Sequence, residues 1–339
     1  MEIREPERLT PVVGEADVIV VGSGPGGLSA AIAAARAGVS VILIERFGCF
    51  GGNITSVGVE GFAWYRHENT IEAGGLAFEY EQRAIESNAA VPESQSKSYE
   101  LDSEGFKVVA DNLVLKAGVR PMLHRAFCAP ILDGDEIKGV ITESKAGREA
   151  IIGKIIIDAT GDADVARRSG VTVFKNKKED MISASVMFHM SGVNKEEFMN
   201  EIERDPQKYS DWSDKNWQVQ TSGKEDDMFS PFLRKPFEKA KDSGLIDSDL
   251  QTISGTWGAI HDTGELTYLN LVHLNGIDGT DPESLTKGEI EGRKAALEAI
   301  AALKEYMPGC SAGKLRNFGM TIGIRAVSYT HLTLPTNLS

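Results

Sequence analysis

The sequence has few cysteines. Cys49, Cys128 and Cys310 are the only three among its 339 residues, they stand far apart, and their number is odd. A disulfide framework and a structural zinc site both need clustered cysteines, so this pattern argues against both, and we predict no metal site. The absence of a Cys-x-x-Cys motif also disfavours a redox-active disulfide. Widely spaced thiols are typical of the reducing cytoplasm, where we expect the protein to be located.

The sequence is also poor in positive charge and in long apolar runs. Its 36 Lys and Arg residues face 50 Asp and Glu residues, which gives a net charge of −14. Nucleic-acid binding needs a basic face, so we predict no nucleic-acid partner. The longest apolar run, residues 28–37, is interrupted by Ser29 and Arg36 and falls short of the roughly 18 residues that span a bilayer. The charged N-terminus lacks the apolar core of a signal peptide, and we predict no membrane partner.

Glycine, by contrast, is abundant. The chain has 35 glycines, about 10 % of its residues, against roughly 7 % in average proteins. Six residues, Gly22-Ser-Gly-Pro-Gly-Gly27, have the G-x-G-x-x-G spacing. They follow residues 17–21, a β-branched run that predicts a buried parallel strand, and precede residues 28–37, whose alanines predict a helix. Residues 39–44 predict the next strand, which completes a β-α-β unit.

This spacing suits a dinucleotide. Gly22 would make the tight turn out of the strand, Gly24 would let the backbone approach a pyrophosphate, and Gly27 would let helix and strand pack closely. Glu45, 18 residues after Gly27, ends the second strand. Its carboxylate is placed to accept hydrogen bonds from ribose hydroxyls and would repel a 2′-phosphate. This element alone does not separate NAD from FAD.

Later segments predict further strands and a second domain. A turn at Gly134 precedes a strand over residues 137–142, and residues 155–157 predict a buried strand that leads into Asp158-Ala-Thr-Gly-Asp162. The polar residues 66–105 predict helices joined by an exposed loop. Residues 171–285 are richer in charge and contain three of the four tryptophans, which suggests an inserted domain.

The Thr-x-x-Glu pattern at Thr286–Glu289 has the form of a capping box. It predicts a helix that begins there, continues through Leu303 and ends near Pro308-Gly309.

Two of these segments resemble flavoproteins. The stretch Glu45-Arg-Phe-Gly-Cys-Phe-Gly-Gly52-Asn53 resembles the E-R-x-x-x-x-G-G loop that wraps the FAD pyrophosphate. Residues 155–162 resemble the second flavoprotein signature, a strand that runs into A-T-G-D. The sequence is similar to the glutathione-reductase-type flavoproteins, and within them to the broad bacterial FAD-dependent oxidoreductase group, a distant relative of the fumarate reductase flavoproteins.

The resemblance implies an FAD cofactor and a set of contacts to it. These are the glycine turn, the loop after the second strand, a strand that offers its backbone to adenine, and the A-T-G-D segment. By residue they are Gly22, Ser23, Gly24, Pro25, Gly26, Gly27, Glu45, Arg46, Gly52, Asn53, Ala126, Phe127, Ala159, Thr160, Gly161 and Asp162.

The implied fold class is α/β. A Rossmann-type FAD-binding domain, in which a parallel sheet carries a β-meander, would occupy residues 1–170, with a helical and loop insert at about 62–105. An α+β substrate domain would be inserted over residues 171–285, and residues 286–325 would return to the FAD-binding domain. Residues 326–339 match no part of the family and read as a non-native tail on a truncated chain.

Candidate catalytic residues follow less directly. The Gly319–Arg325 segment resembles the start of the last family segment, which makes Arg325 a candidate anion clamp. His67, next to Arg66, follows the flavin-side loop, and His261 lies in the expected substrate domain, as do His189 and His273. A histidine can supply a proton, although a surface or core position is its commoner role.

The expected activity is hydride transfer between FAD and a small organic substrate, unsaturated or carboxylated. Two alternatives stay open: a flavin-binding electron-transfer subunit that works with a partner protein, and a flavin monooxygenase. A second G-x-G-x-x-G for NAD(P)H is absent from the sequence, so electrons would pass directly to or from the substrate or come from an electron-donor protein.

Overall fold

The computed structural model describes residues 2–61, 66–67, 70–71, 74–92, 99–205, 232–325 and 328–329. By its internal contacts the chain forms two units. The first unit comprises the described parts of Met1–Gly52, Ala110–Lys175 and Ser328–Ser339. The second comprises the described parts of Asn53–Val109 and Asn176–Val327.

The described residues form strands and helices in a mixed order along the chain. The strands are β1 Val12–Val21, β2 Val41–Ile44, β3 Arg66–His67, β4 Thr70–Ile71, β5 Ala90–Pro92, β6 Tyr99–Leu101, β7 Arg120–Met122, β8 Ala126–Asp133, β9 Glu136–Ser144, β10 Gly147–Asp158, β11 Phe174–Lys175, β12 Phe188–Ser191, β13 Phe232–Leu233, β14 Ile253–Thr256, β15 Leu266–Val272, β16 Lys314–Phe318 and β17 Ser328–Tyr329. The helices are α1 Pro25–Arg36, α2 Leu76–Glu86, α3 Ser103–Lys116, α4 Asp164–Arg168, α5 Lys195–Arg204, α6 Lys235–Asp242 and α7 Pro282–Tyr306, with a π-helical turn at Asn53–Val57 and a 3-10 turn at Lys178–Asp180.

The first unit is built on a six-stranded sheet with the order β7-β2-β1-β10-β9-β8. The strands β7, β2, β1 and β10 are parallel, and β10, β9 and β8 form an antiparallel meander. Residues 18–21 and all of β2 are buried, as expected for strands of a parallel sheet. The predicted α/β class, with a parallel sheet that carries a β-meander, is confirmed.

Helix α1 begins earlier than its apolar pattern indicates. Pro25 occupies the first turn, where its missing N–H costs nothing, and Gly24 is the N-cap. The helix ends at Arg36, and Gly38 follows in the left-handed region at φ 90°. Proline at the start and glycine beyond the end are the usual boundaries of a helix.

The second unit is built on a five-stranded antiparallel sheet with the order β13-β14-β15-β12-β16. Helix α7 packs on this sheet, and α6 packs on α7. One apolar core joins Phe188 and Met190 of β12 to the buried face of α7, which includes Ala296, Ala299 and Leu303.

The predicted start of α7 at Thr286 is wrong. The helix begins at Pro282, and the side chain of Asp281 caps it by accepting a hydrogen bond from the amide of Glu283 at 3.1 Å. An Asp N-cap followed by proline is the stronger start signal. Thr286 lies inside the helix, where its hydroxyl donates to the Pro282 carbonyl at 2.8 Å.

The contact-based division differs from the predicted domain boundaries. Residues 286–325 pack with the five-stranded sheet, because the apolar face of α7 is buried there. Residues 53–109 also belong to the second unit.

None of the helices in the described parts of the chain has both the length and the hydrophobicity that a membrane span requires. Most of the predicted tail lies outside the described residues; the backbone of Ser328–Tyr329 pairs with Phe174–Lys175.

Candidate functional site

The glycine turn that follows β1 is tightly packed at two of its residues. Gly22 has a φ of 95°, and a Cβ there would lie 2.2 Å from the carbonyl oxygen of Ala159. A Cβ on Gly27 would lie 2.0 Å from the carbonyl oxygen of Gly22. Neither position has room for a side chain, so these glycines are needed to turn the chain out of β1 and to pack α1 against it.

The same turn is open where a phosphate would approach. A Cβ on Gly24 or Gly26 would meet no atom of the described residues within 4 Å. Gly24 is the N-cap of α1 and, as a glycine, makes no side-chain cap hydrogen bond, so it puts no side chain at the positive end of the helix dipole, where an anion binds. The arrangement fits a pyrophosphate.

The E-R-x-x-x-x-G-G loop closes on this turn. The Gly51 amide donates to the Ser23 carbonyl at 2.9 Å, and a Cβ on Gly52 would lie 2.6 Å from the Cα of Gly24. Gly52 itself has a φ of 52°. The E-R-x-x-x-x-G-G loop therefore lies directly against the glycine turn. Asn53, the next residue, begins the π-helical turn and is exposed.

Glu45 is more deeply engaged than the sequence indicates. It is 6 % exposed, and one of its oxygens, Oε2, accepts hydrogen bonds from both the amide and the hydroxyl of Ser23. Its Oε1 accepts the amide of Phe47 at 2.9 Å. A carboxylate offers about four acceptor positions, so roughly one is left for a ribose hydroxyl. In the structure the carboxylate of Glu45 therefore stabilises the glycine turn through its hydrogen bonds with Ser23.

The segment after Glu45 runs beside the start of β8. The Arg125 amide donates to the Glu45 carbonyl at 2.9 Å, and the His124 amide donates to the Phe47 carbonyl at 3.2 Å. Ala126 and Phe127 follow directly, and Ala126 is exposed. Arg46 is exposed as well, and its guanidinium lies 4.7 Å from the Phe47 ring centroid.

His124, which lies beside the segment that follows Glu45, was not predicted from the sequence. The residue has a φ of 56°, and a Cβ on Gly48 would lie 2.8 Å from its imidazole. The sequence near His124 contains no motif that would have singled it out.

The A-T-G-D segment is organised by Asp158, which sequence reasoning left out of the contact set. Its Oδ1 accepts the amide and hydroxyl of Thr160 at 3.1 and 2.7 Å, and its Oδ2 accepts the Ala166 amide at 2.9 Å. Gly161 follows with a φ of 97° and is exposed. An Asp two residues before a Thr is the signal for such a turn.

This segment contains three acidic residues, Asp158, Asp162 and Asp164. Burial, together with the charges of Asp162 and Asp158, raises the pKa of Asp164.

The predicted catalytic residues belong to the second unit. Arg325 is exposed, at the end of a segment that bridges to Ser185 through Gly323. His261 is half-buried, and its amide donates to the Glu265 carbonyl at 2.8 Å. The backbone of His67 belongs to β3, and its side chain lies outside the described residues.

A buried acid–base contact also lies in the second unit. Glu60 and His189 are 3 % and 4 % exposed, and the Glu60 Oε2 lies 3.5 Å from the His189 Nε2. The Ser103 amide donates to the Glu60 Oε1 at 2.9 Å. Burial raises the pKa of Glu60 to about 7, although hydrogen bonds from Ser103 and Glu100 favour its carboxylate. Burial also lowers the pKa of His189 to about 4, and the charge of Arg316 adds to this effect.

Glu100 adds a second carboxyl to this group. It is 1 % exposed, and its Oε1 accepts the hydroxyl of Thr267 at 3.2 Å. A Cβ on Gly258 would lie 2.3 Å from its oxygens. Sequence reasoning named His189 but neither glutamate, because isolated glutamates carry no spacing signal.

The six-stranded sheet and its open glycine turn define a dinucleotide-binding protein of the Rossmann type. The sequence profile of the FAD dependent oxidoreductase family matches residues 17–327, so the chain belongs to that family. The predicted FAD cofactor is thereby confirmed.

Curated relatives match part of the chain. A thiamine thiazole synthase of Saccharolobus islandicus is 31 % identical over 163 residues, which are 44 % of this chain and 57 % of that protein. A digeranylgeranylglycerophospholipid reductase 2 of Methanopyrus kandleri is 30 % identical over 192 residues, 54 % of this chain and 46 % of that protein. The chain thus spans about half the length of these relatives.

Solved structures share the fold. A geranylgeranyl bacteriochlorophyll reductase-like protein from Thermoplasma acidophilum superposes with a TM-score of 0.54 at 17 % identity, over 91 % of this chain and 66 % of that one. A myxobacterial chondrochloren halogenase described as FAD-dependent superposes with a TM-score of 0.51 at 14 % identity, over 93 % of this chain and 64 % of that one.

Proposed function

We propose that the protein transfers a hydride between FAD and a small, unsaturated or carboxylated organic substrate. The proposal rests above all on one observation: the glycine turn of an FAD-dependent oxidoreductase family member is sterically closed at Gly22 and Gly27 but open at Gly24. FAD supplies the hydride chemistry when bound, so the protein must hold the cofactor, orient the substrate and handle one proton.

The proposed cofactor contacts are those implied by the resemblance. The amides of the first turn of α1 would hold the pyrophosphate, Glu45 would hold a ribose, and the backbone at Ala126–Phe127 would contact adenine. The A-T-G-D segment would hold the middle of the cofactor, with Asp158 keeping its backbone in place. Gly52 and Asn53 would approach the flavin end.

The proposed substrate contacts lie in the second unit. Arg325 would bind a carboxylate, because a guanidinium binds two carboxylate oxygens at once. His67 and His261 are the proposed proton donors. The similarity to a protein named as a reductase supports our choice of an unsaturated substrate. The cytoplasmic location and an electron-donor protein stay predictions from the sequence.

Single-turnover reoxidation of the flavin tests the proposal. The purified, FAD-loaded protein is reduced photochemically without oxygen and then mixed with unsaturated carboxylates and enones, each paired with its saturated analogue. Return of the oxidised flavin spectrum with an unsaturated compound alone supports the proposal. Reoxidation by a partner protein only would make the chain an electron-transfer subunit, and a hydroxylated product formed only with oxygen would make it a monooxygenase. Either result contradicts the proposal.

The proposed role of Arg325 in binding a carboxylate can be tested with a matched control variant. Arg325→Gln should raise KM for carboxylated compounds by about tenfold or more, since a tenfold change corresponds to the loss of about 1.4 kcal/mol of binding. Arg204→Gln removes a surface arginine of α5 and should leave KM unchanged.

A further inference from the structure

The contact between Glu60 and His189 brings together two side chains that water barely reaches. His189 lies on β12 between Phe188 and Met190, both of which point into the apolar core. Strand alternation therefore directs the imidazole to the opposite face of the sheet, toward Glu60. Gly58 lies beside the pair: a Cβ there would be 3.9 Å from the His189 Nε2, an ordinary van der Waals distance.

The other imidazole nitrogen has no partner among the described residues. The His189 Nδ1 is buried and receives or donates no hydrogen bond there. A buried core histidine usually bonds through both nitrogens, because an unsatisfied polar atom costs about 1–3 kcal/mol. A buried nitrogen without a partner, on a ring whose other nitrogen faces a carboxyl group, is the arrangement of a proton-exchanging pair.

We propose that Glu60 and His189 form a proton-relay dyad whose exchanging atom is the His189 Nδ1, and that this dyad exchanges one proton with the substrate. The second half of this statement rests on the proposed function. In the acid form the Glu60 carboxyl O–H points to Nε2 and the proton of the neutral imidazole is on Nδ1. In the base form Glu60 is a carboxylate, Nε2 carries the proton, and Nδ1 is an acceptor.

The step between the two forms balances. The Nδ1–H bond breaks and its proton goes to the substrate atom, while the Glu60 O–H bond breaks and an N–H bond forms at Nε2. One proton leaves the dyad, the imidazole stays neutral, and one negative charge remains on Glu60, where the Ser103 amide stabilises it. No electrons enter or leave the dyad. The reverse step takes a proton from a substrate that is being oxidised.

The surroundings suit this cycle at neutral pH. Burial raises the pKa of Glu60 to about 7, and burial keeps the imidazole of His189 neutral by lowering its pKa to about 4. A general acid works best when its pKa is near the working pH. The titratable and charged groups that face the pair come from several elements: Glu100 of β6, Asp102 before α3, Glu104 of α3, Arg316 of β16 and His261 between β14 and β15.

Nitrogen NMR of the histidine side chains tests the dyad without any turnover. In protein labelled with ¹⁵N-histidine, the His189 signals are assigned by their loss in His189→Asn. From about pH 5 to about pH 9 they should pass from the Nδ1–H to the Nε2–H tautomer, with a midpoint near the pKa of Glu60. Glu60→Gln should hold one tautomer throughout. Glu149→Gln, which changes a buried carboxyl group of the first unit, should keep the transition.

Two results would overturn the dyad. One is a single His189 tautomer across this range in the unchanged protein, and the other is an imidazolium that forms with an ordinary pKa. The pH dependence of kcat/KM separates the dyad from the proposed function. If a substrate turns over with the same profile in Glu60→Gln, the relay fails and the function stands. If the tautomer changes as expected but no substrate reoxidises the flavin, the function fails and the dyad stands.

Discussion

The amide and the hydroxyl of Ser23 both donate to one carboxylate oxygen of Glu45, at 3.0 and 2.6 Å. The second residue of the glycine turn is thereby tied to the acid that ends β2. The backbone of the turn is held before any nucleotide binds, because the Glu45 side chain and the Ser23 side chain are both buried. An acid expected to bind ribose thus also stabilises the phosphate-binding turn.

Ser23→Ala should lower the free energy of unfolding by about 1–3 kcal/mol, the usual cost of removing a buried hydrogen bond to a carboxylate. Urea unfolding of the two proteins measures it. Ser29→Ala, which removes a hydroxyl that bonds the Pro25 carbonyl within α1, should change stability by about 0.5 kcal/mol or less. If both variants lost the same free energy of unfolding, the hydrogen bonds between Ser23 and Glu45 would contribute no more to stability than the bond from Ser29.

Alanine at two neighbouring glycines should give opposite results. Gly27→Ala places a methyl group 2.0 Å from the Gly22 carbonyl oxygen, so the backbone of α1 or that of the glycine turn would have to move. We expect this substitution to lower the free energy of unfolding of the first unit by about 1–3 kcal/mol or more, the cost typical of overpacked sites. The added methyl group of Gly26→Ala would meet no described residue within 4 Å and should stabilise α1 by roughly 0.5–1 kcal/mol. Thermal unfolding separates them, and a stable Gly27→Ala protein would contradict the packing argument.

Gly24→Ala separates the fold from the cofactor. Its methyl group would meet no atom within 4 Å in the part of the chain that the structure describes, so the apoprotein should unfold at the same temperature as the unchanged protein. The methyl group would occupy the space proposed for the pyrophosphate. We therefore expect Kd for FAD to rise by about tenfold or more, that is by about 1.4 kcal/mol, in a fluorescence titration. Unchanged FAD binding would place the pyrophosphate elsewhere.

The pH dependence of stability should have opposite slopes in two variants. The folded-state pKa of Glu60 is raised, so its burial lowers stability as pH rises from about 4.5 to about 7. The folded-state pKa of His189 is lowered, so its burial lowers stability as pH falls from about 6.5 to about 4. Between these limits the two effects offset each other in the unchanged protein.

His189→Asn leaves the Glu60 effect alone, and Glu60→Gln leaves the His189 effect alone. Relative to the unchanged protein, the first should lose stability as pH rises and the second should lose it as pH falls, each by on the order of 1.4 kcal/mol per pH unit. Urea unfolding at several pH values gives the slopes. Parallel slopes in the two variants would show that the pair does not titrate as described.

Glu289 should hold the segment that leads to Arg325. Its Oε1 accepts the Ile322 amide at 2.8 Å and the Thr321 hydroxyl at 3.1 Å. Glu289→Ala should cost about 1–3 kcal/mol of stability and speed amide hydrogen exchange at Ile322. Among the described residues, Glu291→Ala breaks only a surface contact to Lys287 at 3.8 Å and should change neither quantity. Unchanged exchange at Ile322 in Glu289→Ala would sink this assignment.

The first unit was largely predictable because its signals are local. A glycine at each closed position, a β-branched strand before the turn and an alanine-rich helix after it all indicate the same β-α-β unit, and β1, α1 and β2 have that form. The turn at Gly134 between β8 and β9 is equally local.

The second unit was less predictable because its organisation depends on contacts between distant residues. Nothing in the sequence near Glu60 indicates that His189 will lie 3.5 Å from it. The Thr286–Glu289 pattern even points to the wrong start of α7, because Glu289 bonds Ile322 instead of capping the helix. Such pairings follow from strand order, which single-residue propensities do not specify.

The sheet of the first unit also constrains how the chain is made. Val21 of β1 pairs with Asp158 of β10, so the middle of this sheet joins residues that leave the ribosome roughly 140 residues apart. At about 5–20 residues per second, the apolar β1 waits on the order of ten seconds for its partner. During that interval residues 53–109 of the other unit are synthesised. Until β10 emerges, the edge of β1 that will pair with it is therefore exposed to aggregation in the nascent chain.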